Sequence, residues 1–197
     1  MYYNPTTDTK LTREELCNKY NCSIPKSNEY YNGWYRLQKG SRPIPNAFQN
    51  VVENNVEMID DKYVITYDLE YKPFDEVKNL RLQEIKRKFD SITDHAHVMS
   101  SCGFMIDANE KAHRDIEGLI KINKAEGAET ELFRDYNNEY HSVTLEQLET
   151  MQIEVIKNGQ NIYKQKWFFE HQLEICTTVE ELVAVNIEYE NMNFLTE

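Results

Sequence analysis

Glycine is scarce, with six in 197 residues, and none falls in a G-x-G-x-x-G, a Walker loop or a G-x-S-x-G elbow. A phosphate-cradling loop, which needs bare backbone, is hard to build from such a chain. Basic charge is also short: 22 Lys and Arg stand against 34 Asp and Glu, a net charge of −12. Nothing compensates the repulsion of a phosphate backbone, so nucleic acid is not an expected partner. No apolar run approaches the ~18 residues of a membrane span; the longest are fragments such as Cys102–Ile106 and Leu182–Val185. A membrane is therefore not an expected partner either. Met1-Tyr2-Tyr3-Asn4-Pro5 has neither a basic segment nor an apolar stretch, so no secretory signal is read there.

Cysteine is sparse and badly spaced for metal. Cys17 and Cys22 are separated by four residues, Cys102 and Cys176 stand alone, and no histidine follows Cys22 at a finger-like interval. Four scattered thiols fit a reducing cytosol, where a buried Cys is a small apolar filler. Asp94-His95-Ala96-His97 would let two His converge on one ion if extended, but the segment reads as a helix end with solvated His. His113, His141 and His171 have no acidic or nucleophilic neighbour in a recognisable pattern and read as surface. No catalytic residue, cofactor or metal is assigned.

What the chain does have is enough apolar material for a core: 40% hydrophobic residues, 12% aromatic. Their distribution is uneven. Residues 1–72 carry net charge −1, residues 73–98 none, and residues 99–197 carry −11, whereas 11 of the 23 aromatics fall in the first 72. That shift predicts an N-terminal β-rich module (1–72), a connecting helix (73–98) and an acidic α+β domain (99–197). The fold class expected is α+β: a small aromatic-rich β module with a short helix, then a helix–hairpin–long-helix module.

Local signals fill this in. Thr12 and Glu15 form a capping box with Leu11 and Leu16 as its staple, opening a helix that ends near Tyr20-Asn21. Residues 30–37 read as an aromatic strand interrupted at Gly33 by a bulge or tight turn, and residues 40–50 as loop. Val56–Ile59 and Lys62–Tyr71 make a hairpin around Asp60-Asp61, with Tyr63, Ile65, Tyr67, Leu69 and Tyr71 on one face at period two. A helix runs from about Phe74 to Thr93. Its Leu82, Ile85, Phe89 and Ile92, with Ala96, are spaced like a coiled-coil seam, which either packs in its own domain or receives a partner. Leu82, Ile85, Phe89 and Ile92 are the candidate partner-binding residues, and an oligomer or stable complex is expected.

Val98–Ile106 reads as a strand broken at Gly103, followed by a helix capped by Asp107 with Glu110. Ala112, Ile116, Leu119, Ile120 and Asn123 face inward on it, and Gly127 ends it. Glu131–Tyr136 and Glu139–Val143 form a hairpin around Asn137-Asn138. Thr144 and Gln147 open the longest helix, whose stripe is Leu148, Met151, Val155, Ile162 and Tyr163, with Gly159 placed for a close contact. Thr178 and Glu181 open a last short helix to about Asn186, followed by a frayed or partner-bound tail.

Several of these segments occur in a telling order. Glu84-Ile85-Lys86 is followed by Gly103-Phe104-Met105-Ile106-Asp107-Ala108 and Phe133-Arg134-Asp135-Tyr136-Asn137-Asn138. Then come Thr144-Leu145-Glu146-Gln147-Leu148, Asn158-Gly159-Gln160 and Lys166-Trp167. Over roughly residues 74–187 this resembles an uncharacterised domain family encoded in bacteriophage tail regions, often near tail-fibre genes. Tyr3-Asn4-Pro5, the Leu11–Leu16 helix start and Gly33-Trp34-Tyr35 resemble the small module that precedes such domains. The resemblance implies a virion protein of the tail, made in the bacterial cytoplasm, whose partners are other tail or fibre proteins. Its alternative is a fibre-assembly chaperone that leaves the particle; a third reading is a small enzyme acting on cell-surface polymer. The family brings no catalytic residues, so Arg134, Asp135, Gly159 and Trp167 are expected to be structural.

Overall fold

A computed structural model describes residues 1–195. The fold is α+β, and the chain divides into two compact units, Met1–Lys72 and Pro73–Glu197. Among the described residues no helix is long and apolar enough to cross a membrane.

The first unit is built from strands β1 (Tyr2–Asn4), β2 (Thr9–Leu11), β3 (Tyr30–Tyr31), β4 (Trp34–Arg36), β5 (Gln38–Lys39), β6 (Gln49–Ile59) and β7 (Lys62–Tyr71), with one helix, α1 (Arg13–Tyr20). They form two sheets, ordered β2-β1-β4-β3 and β5-β7-β6. Alternation sorts the first sheet's side chains: Tyr2 and Trp34 pack with Leu16 of α1 and with Ile24, while Tyr3 packs with Leu37, Ile65 and Tyr67. The Thr12–Glu15 capping box is present, and Asn21 ends α1 in the left-handed region. Asp60 and Asp61 both take positive φ and turn β6 into β7.

Residues 30–37 are not one strand. Asn32 and Gly33 both have positive φ, the geometry of a two-residue hairpin turn, so β3 folds back on β4. At Gly40 a Cβ would sit 2.7 Å from the Ile65 carbonyl oxygen, so only glycine lets β5 lie against β7 there. Along β7 the period-two face is buried at Ile65 and Tyr67, yet Leu69 and Tyr71 are exposed.

The second unit contains α2 (Phe74–Asp94), the hairpin β8 (His97–Met99) and β9 (Met105–Asp107), α3 (Glu110–Glu126), the hairpin β10 (Glu131–Arg134) and β11 (Tyr140–Val143), α4 (Leu145–Ile175) and α5 (Val179–Ala184). Residues 73–98, expected as a connector, belong to this unit: α2 packs on α4 and α5. Helices α2 and α3 lie against α4 around one core that includes Val98, Ile106, Ile116, Ile120, Leu148, Met151, Val155 and Ile162.

Four local expectations change here. Residues 98–106 form a hairpin, not a broken strand, because Gly103 at φ 95 turns the chain back. The α3 cap is Asn109, whose side chain accepts from the Ala112 amide, since Asp107 is already paired with His97 in the β8–β9 ladder. Tyr163 points outward, and the buried Asn158 takes the inward stripe of α4 instead. Gly159 makes no close contact, since a Cβ there would meet nothing within 4 Å.

The segment from Val185 to Phe194 is packed, not frayed, and the last two residues of the expected tail lie outside the described residues. Arg81 donates to the Val185 carbonyl and Lys88 to that of Ile187 at 2.7 Å. Gln165 exchanges two hydrogen bonds with the Glu190 backbone, each 2.8 Å. Asn158 accepts from the Met192 amide at 2.8 Å, and the Phe194 amide donates to Met99 at 2.9 Å. The buried Arg81 of α2 and Asn158 of α4 thus find partners in this strap.

Candidate functional site

The α2 seam is largely turned inward. Ile85 is 1% exposed, and Phe89 and Ile92 are half-buried against the unit's own core; only Leu82, at 37%, faces solvent. Ile85 therefore leaves the candidate partner-binding set, because its side chain is already desolvated within the unit.

Helix α4 presents the opposite situation. Its inward stripe, Leu148, Met151, Val155, Ile162, Phe169 and Leu173, is buried. At about 100° per residue, Ile153, Ile156, Tyr163, Trp167, Phe168 and Ile175 gather on the other side of the helix. These six are between 43% and 59% exposed. Tyr163 is propped by Phe89 with ring centroids 4.9 Å apart, and it lies 6.1 Å from Trp167. The sequence reading assigned α4 a single inward stripe and included Tyr163 in it. The signal it passed over was a second apolar periodicity in the same helix.

The second cluster sits at the tip of the β10–β11 hairpin. Asp135, nearly sequestered, accepts from the Glu139 amide at 2.8 Å, and its other oxygen meets His141 Nε2 at 3.0 Å. Desolvation would raise the Asp135 pKa, but the His141 hydrogen bond and the Glu139 amide outweigh it and hold it below the usual carboxylate value. The His141 ring stacks on Phe104 at 3.9 Å, and His97 stacks on Tyr136 at 4.8 Å. His141 is thus not a partnerless surface histidine: Asn138 at positive φ turns the chain so that positions 135 and 141 meet.

Ligand atoms of Asp135, Glu139 and His141 lie within 4.8 Å of one another, a donor set that a divalent ion could use. Both Asp135 oxygens already accept hydrogen bonds, so an ion would have to displace at least the His141 contact. His97 Nδ1 lies 3.1 Å from the His95 carbonyl oxygen, which fits a hydrogen-bonded ring at the end of α2. Arg134 ends β10, Asp135 follows it at the hairpin turn and Gly159 lies within α4, whereas Trp167 lies on the open face of α4.

The thiols do not form a reactive group. Cys17 of α1 and Cys22 just after it pack against the Leu16, Ile24 and Trp34 cluster, and Cys17 Sγ accepts from the Ile24 amide at 3.4 Å. Burial pushes the Cys102 thiol up, with the Glu154 charge adding to it against a Ser100 hydrogen bond, which makes it a poorer nucleophile. Glu154 itself fastens the β8–β9 turn, accepting from Ser100 Oγ at 2.6 Å and from the Ser101 amide at 3.0 Å.

The geometry defines an α+β protein whose helical unit buries one face of its longest helix and exposes an aromatic one. The chain belongs to the family described as a domain of unknown function, DUF4376, which matches residues 75–189. The match begins two residues inside the second unit and ends in its C-terminal strap. No curated protein and no solved structure matches the chain.

Proposed function

We propose that this chain is a non-enzymatic interaction module of a bacteriophage tail, an adaptor or fibre-associated subunit made in the host cytoplasm and retained in the virion. The observation that carries the interaction role is the outward face of α4. Six large apolar side chains standing in solvent along one helix cost solubility unless something covers them. Trp and Tyr at the centre of such a patch are the residues that most often dominate binding energy. The placement in a tail rests on the resemblance of residues 74–187. The turns and caps of that stretch hold α4 and its neighbours, which suits a scaffold more than a catalyst.

Mass spectrometry of purified virions from the encoding phage tests this directly. The reading requires the chain to copurify at a fixed ratio to tail proteins. Its presence in infected cells but absence from particles would replace it with the assembly-chaperone reading. Release of reducing sugar from host cell-surface polymer by the purified chain would replace it with the enzymatic one.

A further inference from the structure

The tip of the β10–β11 hairpin gathers an imidazole and two carboxylates at the spacing of ligands around one ion. We propose that Asp135, Glu139 and His141 form a binding site for a divalent transition metal of the zinc class. The site stands whether or not the chain is retained in a virion.

Strand alternation is what collects the three donors. Glu131–Arg134 pairs with Tyr140–Val143, and the register continues to the tip, where the Asp135 amide donates to the Glu139 carbonyl at 2.9 Å. Phe133, Asp135, Glu139 and His141 therefore share one face of the hairpin.

Distance then selects an ion. Two ligands on one zinc, each bonded at about 2.0–2.2 Å, sit about 3.0–3.4 Å from each other. His141 Nε2 and Asp135 Oδ2 are already 3.0 Å apart. Their separation needs no change; the imidazole has only to tilt so that its lone pair points beside the carboxylate oxygen and not at it. Phe104, stacked on the ring at 3.9 Å with 7° between the planes, confines that tilt to the plane of the ring. The ion takes the place of the Nε2 proton, and the neutral ring keeps a proton on Nδ1. Asp135 Oδ1 retains the Glu139 amide at 2.8 Å, which holds the carboxylate in position.

Glu139 supplies the third ligand. Its donor atom lies within 4.8 Å of the other two, and its exposed side chain closes the remainder by rotation about its own χ angles. Asp135 is 5% exposed whereas Glu139 stands in water, so an ion enters from the Glu139 side. One imidazole with two carboxylates is a mixed nitrogen–oxygen set. It suits zinc better than calcium or magnesium, whose shells are built from oxygen.

Calorimetric titration of the full chain with zinc chloride should show one equivalent bound, with a dissociation constant below about 10 µM. Calcium and magnesium should bind at least about 100-fold more weakly. His141→Ala should weaken zinc binding at least about 100-fold, and Glu139→Gln, which leaves the Asp135–His141 pair in place, about tenfold. His95→Ala combined with His97→Ala should change nothing. Circular dichroism on each variant reads the fold separately, and one equivalent of zinc should move the imidazole nitrogen resonances of His141.

A chain that takes up no zinc at about 100 µM overturns the site. So does uptake that Glu139→Gln and His141→Ala leave unchanged, or zinc that moves the His95 and His97 resonances and not those of His141. If His141→Ala unfolds the chain, Glu139→Gln and the resonance shift decide the question.

Discussion

Helices α2 and α4 both carry apolar stripes, and the stripes meet opposite fates. On α2, Val77 and Ile85 are buried and Phe89 lies half-covered against the core. On α4, one stripe is buried and a second, holding Tyr163, Trp167 and Phe168, stands in solvent. The difference is one of neighbours. α2 is covered by α4, α5 and the C-terminal strap, whereas α4 meets α2 and α3 on its inward side and leaves its outward side bare. Apolar periodicity therefore marks a surface that wants covering; which element covers it is settled by how many elements are to hand.

The largest expected effect comes from attacking the covered stripe. Ile85→Glu places a carboxylate where no water reaches, at a cost of about 3–5 kcal/mol. Chemical denaturation should show the second unit molten, while Trp167→Glu shifts fold stability by no more than about 0.5 kcal/mol. Equal effects at both positions would erase the contrast between the two helices.

The next test concerns the edge between the two faces of α4. Glu154→Ala leaves the Ser100 hydroxyl and the Ser101 amide without their acceptor and should cost about 1–3 kcal/mol. A loosened β8–β9 turn, seen as faster amide exchange at residues 100–103, would accompany it. An unchanged midpoint would mean that water replaces the carboxylate and that this edge is not part of the core.

Gly159→Ala should stabilise the chain by about 1 kcal/mol, because helix propensity improves and the new Cβ meets nothing within 4 Å. A raised urea midpoint with unchanged secondary structure is the expected result. Destabilisation would show that the space beside Gly159 is filled in solution.

The smallest effect is a pH dependence on the covered side. Burial, with Glu170 and Asp90 nearby, pushes the Tyr189 hydroxyl up to about 12. A raised folded pKa means that its contribution is complete below the unfolded value of about 10 and fades as pH rises through 12. Tyr189→Phe should flatten that part of the alkaline melting profile relative to wild type. Identical profiles would place the Tyr189 ring in solvent, away from Phe169 and Ile85.

How far the sequence could be read depended on how local each signal was. The boxes at Thr12/Glu15, Thr144/Gln147 and Thr178/Glu181 were legible because a cap closes within four residues. The Asp60-Asp61 hairpin was legible because long alternating strands flank it. The β3–β4 and β8–β9 hairpins were not, since strands of two or three residues leave no measurable period. The α3 cap was misplaced because Asp107 and Asn109 are equally competent alone, and only the ladder to β8 removes the first. The Asp135–His141 contact is six residues apart and needs the hairpin register before it can be seen.

By itself the sequence determined the α+β character, the starts of α1, α4 and α5, the Asp60-Asp61 and Asn137-Asn138 turns and most of the buried stripe of α4. All of these follow from periodicity and from hydrogen bonds between residues near in the chain. Only the tertiary structure decided that Ile85 of the α2 seam is interior, that the chain after α5 straps the second unit, and that Tyr163 and Trp167 look outward. A stripe's fate depends on which other elements the chain brings beside it, and that is a contest between distant segments for one core. Residues 146–175 contain the pattern for two faces; the packing of α2 and α3 chose the one that was left open.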